Sequence, residues 1–131
     1  MEHTADTMSN FNNVLIAVVD DDESVRESLE GLLTTLGYNV ETFASAEGFL
    51  GSAALANADC LILDVCMPGM SGPELQKELA RQEHDIPVIF ITAHGDEDAV
   101  SHLLADGAVD CLTKPFEEEA LLRAVDKVLT K

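Results

Sequence analysis

A chain of 131 residues is long enough for one domain with a substantial core and no covalent staples. Seven Lys and Arg against 25 Asp and Glu leave a formal net charge of −18, which argues against nucleic acid or an anionic membrane as a partner of these residues. Three cysteines (Cys60, Cys66 and Cys111) lack paired metal-ligand spacing, no leading apolar signal is evident, and no apolar run could cross a bilayer; together these features point to the reducing cytoplasm.

Residues 1–13 follow neither helical nor strand period and read as a flexible leader. Val14 to Val19 is a continuous apolar run closed by Asp20, Asp21 and Asp22, as expected of a strand buried on both faces that empties into acids. Val25, Leu29, Leu32, Leu33 and Leu36 then fall at helical spacing until Gly37 stops the helix. Tyr38 to Phe43 alternates like an edge strand, and Ser45 caps a helix running to about Leu55.

Leu61 to Asp64 is a second apolar run that stops at a carboxylate, followed by Pro68, Gly69 and Gly72 in a loop. Taken alone, Asp64 is either a turn or capping acid or a reactive group presented at the edge of a sheet. Ser71 and Glu74 form a capping box with Pro73 in the first turn, opening a helix to about Glu83. Pro87 to Ile91 is the next strand and runs into Thr92. Asp96, Glu97 and Asp98 suit the positive end of a helix dipole, so a short helix to Ala105 follows. Val109 to Leu112 is a brief last strand ending in Thr113, Lys114 and Pro115. Leu121, Leu122, Val125, Val128 and Leu129 mark the buried stripe of a final helix.

Strands alternating with helices predict an α/β fold, a doubly wound five-stranded parallel sheet of order 2-1-3-4-5 with five helices. In such open sheets ligands bind beyond the carboxyl ends of the strands, where the strand order reverses. The first and third strands deliver Asp20, Asp21 and Asp64 to that point, while the fourth and fifth deliver Thr92 and Lys114. Two like charges ~4 Å apart repel by about 4 kcal/mol at an effective dielectric near 20, so three acids in one place call for positive charge. Lys114 is one source and a divalent cation the other; an all-oxygen donor set suits Mg²⁺. A carboxylate beside Mg²⁺, a lysine and a hydroxyl is equipped for phosphoryl transfer, with Asp64 attacking in line.

Several segments carry a family resemblance: Val18-Val19-Asp20-Asp21-Asp22, Leu63-Asp64-Val65-Cys66-Met67-Pro68-Gly69-Met70-Ser71-Gly72, Ile91-Thr92-Ala93-His94-Gly95 and Lys114-Pro115-Phe116. Thr92 lies 28 residues beyond Asp64, and Lys114 lies 22 beyond Thr92. From about Val14 to Leu129 the chain resembles the receiver domain of two-component response regulators, nearest to the FixJ type, which implies a flavodoxin-like, CheY-like fold. The expected division is a leader over residues 1–13 and a receiver domain over residues 14–131. The chain ends just after the last helix, so an output module is not expected within it.

The resemblance implies a role for each matching position. Asp64 would accept the phosphoryl group from a histidine-kinase phosphohistidine. Asp21 would bind Mg²⁺ directly and Asp20 through water, with Asp64 and the backbone carbonyl of Cys66 completing the ligands. Lys114 would pair with the phosphoryl group, Thr92 would hydrogen-bond it, and the Lys114–Pro115 peptide would be cis. Cys66 and His94 sit where such proteins tune acyl-phosphate lifetime. The implied partners are a sensor histidine kinase or phosphotransfer protein, and an output protein or domain on the face of the fourth helix, fifth strand and fifth helix. A phosphorylation-dependent homodimer is a further option. Such a protein is not an enzyme in the ordinary sense, since it catalyses only its own phosphorylation and dephosphorylation.

One position departs from the pattern: Cys111 stands where receivers of this type carry a switch Phe or Tyr. A thiol cannot make the inward rotation of a ring, so the loop from Thr92 to Asp98, its helix and Phe116 are the expected route of the signal. Two other classes share parts of this chemistry. An aspartyl-nucleophile phosphatase or mutase would act on a small phosphate ester, but such enzymes place a second acid two residues after the nucleophile, where this chain has Cys66. A flavin carrier would need a phosphate-cradling loop where this chain has three acids.

Overall fold

The computed structural model describes residues 14–93 and 97–129, with the backbone alone for 97–99. The predicted leader and His94 lie outside the described residues. Five parallel strands form one sheet in the order β2-β1-β3-β4-β5, as the sequence predicts. They are β1 (Leu15–Val19), β2 (Asn39–Phe43), β3 (Cys60–Asp64), β4 (Val88–Thr92) and β5 (Asp110–Thr113). The continuous apolar runs take the central places: β3 and β4 are buried along their whole length, and β1 from Ile16 onward. The alternating β2 and the short β5 are the edges, where only one face needs covering.

Because side chains alternate along a strand, each run supplies two cores. Ile16, Val18, Ile62, Ile89 and Ile91 face one way, onto Leu29 and Leu33 of α1 (Glu23–Thr35) and Leu121, Val125 and Val128 of the last helix. Ala17, Val19, Leu61, Leu63 and Phe90 face the other way, onto Phe49, Leu75, Leu79 and Leu103 of the intervening helices. Cys60 is filler in the first core, fully buried, its thiol pushed up to about 12 by burial.

The helices depart from expectation in one place. The helix expected from Ser45 to about Leu55 is two short ones, α2 (Ala46–Leu50) and α3 (Ala54–Asn57), so the described residues hold six helices rather than five. Gly51 caps α2, and the Ser52 hydroxyl donates to the Phe49 carbonyl at 2.7 Å, ending the helical ladder where glycine propensity is poor. Leu36, read as part of the α1 stripe, is the helix C-cap and is 42% exposed.

The remaining helices are α4 (Gly72–Arg81), α5 (Glu97–Ala105) and α6 (Glu118–Leu129). The predicted capping box at Ser71 and Glu74 is formed in full at the start of α4. Gly72 is there because nothing larger fits: a Cβ would collide with the Asp64 carbonyl oxygen and stand 3.0 Å from the Phe90 ring. The first turn of α4 thereby lies directly against the exit of β3.

Candidate functional site

The β1 exit is held by its own backbone. Asp20 donates its amide to the Phe43 carbonyl at 3.1 Å, and its Oδ1 accepts from the Asp22 amide at 2.8 Å. Asp22 in turn caps α1, accepting from the Ser24 amide at 2.9 Å, which is the helix-start role its position suggests. Asp20 is fully buried, and Asp21 beside it is exposed. At the next strand end Asp64 is 5% exposed, and one oxygen from each of Asp20, Asp21 and Asp64 lies within 4.8 Å of the others.

Lys114, just past β5, extends into this cluster. Its Nζ is 3.0 Å from Asp20 Oδ2 and 3.7 Å from Asp64 Oδ1. The Lys114 amide donates to the Thr92 carbonyl at 2.7 Å, so the amine and the Thr92 hydroxyl are borne by paired strand ends, and Thr92 itself is 5% exposed. The Lys114–Pro115 peptide is cis, as the resemblance implied.

The electrostatics reflect the crowding. Burial first, then repulsion from Asp20 and Asp21, push the Asp64 carboxyl up to about 6, against the opposing pull of Lys114. Burial works to lower the Lys114 ammonium, but Asp20, Asp64 and Asp22 outweigh it and hold it above the usual lysine range. The Asp20 Oδ2 atom is buried and has no neutral hydrogen-bond donor; its close neighbour is the Lys114 ammonium at 3.0 Å. An all-carboxylate cluster with one lysine for three acids fits a hard divalent cation such as Mg²⁺, which takes one or two carboxylates and keeps several waters.

Of the residues singled out from the sequence, the fold gathers Asp20, Asp21 and Asp64, sets Lys114 against Asp20 and Asp64, and places Thr92 at the neighbouring strand end. Cys66 is exposed in the β3–α4 loop two residues beyond Asp64. Cys111 lies away from the rim within β5, partly buried and in register with Phe90. Sequence reasoning missed two supporting residues. Arg26 of α1 donates to the Asp20 carbonyl at 2.6 Å, and Glu47 of α2 accepts from the Met70 amide at 3.1 Å. Both reach main-chain atoms outside their own helix, and no spacing rule announces such a contact.

A parallel sheet of this order, with its acids and its lysine at the carboxyl rim, defines the class, and residues 16–126 match the response regulator receiver domain. The chain belongs to that family: it is a receiver domain of two-component response regulators. Among its relatives is the response regulator protein TmoT of Ectopseudomonas mendocina, 43% identical over 92% of this chain and 54% of TmoT. Another is the transcriptional regulatory protein FixJ of Bradyrhizobium diazoefficiens, 37% identical over 87% of this chain and 56% of FixJ. The structure of the chemotaxis protein CheY4 of Vibrio cholerae is similar at a TM-score of 0.80 and 34% identity, covering 88% of this chain and 98% of that one.

The chain thus spans about half the length of the curated relatives it matches. Because FixJ is a transcriptional regulatory protein, the expectation of no nucleic-acid contact rests on the charge of these residues alone and does not extend to a longer protein. No helix among the described residues is long and apolar enough to cross a membrane.

Proposed function

We propose that this receiver is a phosphorylation-controlled switch acting in the cytoplasm, with Asp64 as the acceptor of a phosphoryl group from a histidine-kinase or phosphotransfer-protein phosphohistidine. The observation that carries the reading is the meeting of Asp20, Asp21 and Asp64 around one point, with Lys114 at 3.0 and 3.7 Å from two of them. Asp20, Asp21, Asp64 and the Cys66 carbonyl would hold Mg²⁺, which when bound supplies positive charge to the phosphoryl oxygens.

The chain's own residues do the rest. An ionised Asp64 oxygen attacks phosphorus as the phosphorus–nitrogen bond of the donor imidazole breaks, and an acyl phosphate results. Lys114 pairs with the oxygens of the transferred group, and the Thr92 hydroxyl donates to one of them. The reaction is confined to the receiver's own modification and its reversal. The signal then leaves through the face of α5, β5 and α6 to an output protein or domain, or to a second copy. The relatives support this signalling reading over a phosphatase or mutase, as does the thiol of Cys66 where a second acid would stand.

Acetyl phosphate labelling tests the reading. Asp64→Asn is expected to abolish labelling of the intact protein by mass, and chelation with EDTA to suppress it in the wild type. Labelling of the Asn variant to the wild-type stoichiometry overturns the assignment of the acceptor, and an undiminished rate in EDTA overturns the metal's part.

A further inference from the structure

The loop between β3 and α4 is a closed ring. At its base the Val65 amide donates to Ile91 and the Gly72 amide donates to the Val65 carbonyl, at 2.9 and 3.0 Å. Inside the ring Met67 is 9% exposed and anchored in the core, whereas Pro68 and Gly69 are exposed at its apex. Beside that apex the Met70 amide donates to Glu47 Oε2 at 3.1 Å, across 23 residues of sequence. Gly69 has φ +76°, and a Cβ on it would stand 2.9 Å from the same Glu47 oxygen, so the bare glycine is what leaves the carboxylate its seat.

Glu47 is itself well placed. Ser45 caps its helix by accepting from the Gly48 amide at 3.0 Å, and its neighbours Ala46 and Phe49 are fully buried. Phe49 meets the Phe43 ring edge-on at 5.5 Å. The carboxylate is therefore held on a fixed turn and aimed at a backbone donor, and such charge-assisted bonds are stronger than neutral ones.

We propose that Glu47 is a positioning residue for the cation site: by holding Met70 it fixes the apex of the ring and, through the ring, the direction of the Cys66 carbonyl. The inference rests on the functional reading above. Cys66 and Met70 lie on the two arms of the ring, either side of the exposed Pro68–Gly69 apex, and Glu47 ties the Met70 arm to α2.

The test measures Mg²⁺ affinity directly, by titration followed by amide chemical shifts, alongside hydrogen exchange at Met70. Glu47→Ala is expected to bind Mg²⁺ about fivefold more weakly and to exchange the Met70 amide about tenfold faster, the scale of one lost hydrogen bond. Glu47→Gln, whose amide oxygen still accepts, is expected to restore most of both. Acetyl phosphate labelling of Glu47→Ala should be slowed at low Mg²⁺ and recover at saturating Mg²⁺. Gly69→Ala, which crowds the same carboxylate, should weaken Mg²⁺ binding in the wild type and add less in the Glu47→Ala background.

Faster Met70 exchange with wild-type Mg²⁺ affinity overturns the proposal and leaves the functional reading standing. Simple additivity of the two substitutions also overturns it. A wild-type protein that binds no Mg²⁺ defeats the functional reading and this inference together.

Discussion

Asp64 sits where ionisation is costly until a cation arrives. Its carboxyl is raised from 3.8 to about 6 in the folded chain, so the fold binds that proton more tightly than the unfolded chain does. The folded state therefore loses stability as pH rises from about 4 to about 6, and above that the whole cost is present. At about 1.4 kcal/mol per unit, and allowing for water at the mouth of the site, the cost is of the order of 2 kcal/mol. In EDTA at pH 7.5, Asp64→Asn is expected to melt at a higher temperature than the wild type, a gain that shrinks as pH falls towards 4. Mg²⁺ should erase the difference by stabilising the wild type. Equal melting temperatures across that range in EDTA would show that ionising Asp64 in its buried, acid-lined seat carries no cost.

At the scale of elements, the rim was legible because each of its residues ends or follows an apolar run. Asp20 follows β1, Asp64 and Thr92 end β3 and β4, and Lys114 follows β5, so naming the strands placed the side chains. The break between α2 and α3 was not legible, because Ala53, Ala54, Leu55 and Ala56 resume good helix formers directly after Gly51 and Ser52. What ends α2 is Gly51 and a serine hydroxyl turned back on the chain. Arg26 and Glu47 escaped notice for a different reason: each bonds to a main-chain atom outside its own helix, and main-chain atoms carry no sequence signal. Gly72 makes an element-scale prediction. Gly72→Ala must separate α4 from β3 to relieve its contacts with Asp64 and Phe90, at a cost of about 2–3 kcal/mol in urea unfolding. An unchanged midpoint would mean that α4 has room to spare.

Taken whole, the molecule puts its proposed chemistry on one rim and its proposed output along one edge. Cys111 is on that edge strand, partly buried, and packed against the core that contains Phe90 and Leu103. With no ring at Cys111 to turn inward, the proposed route of the signal is α5. Cys111→Phe is expected to change the ratio of phosphorylated to unphosphorylated partner affinity by about fivefold or more, the lower bound of ordinary coupling between sites. Calorimetric titration of an output partner with and without a beryllofluoride adduct measures it, and an unchanged ratio would show that this position does not shape output.

The close seat of Gly72 beneath the Asp64 carbonyl has a mechanical consequence. A Cβ at Gly72 would collide with the Asp64 carbonyl oxygen, so the backbone at Asp64 has no room to sink toward α4. On the proposed modification of Asp64, displacement is expected at the neighbouring strand ends that bear Thr92 and Lys114. A rigid floor of this kind gives a reason for the smallest residue in the chain to stand against the exit of β3.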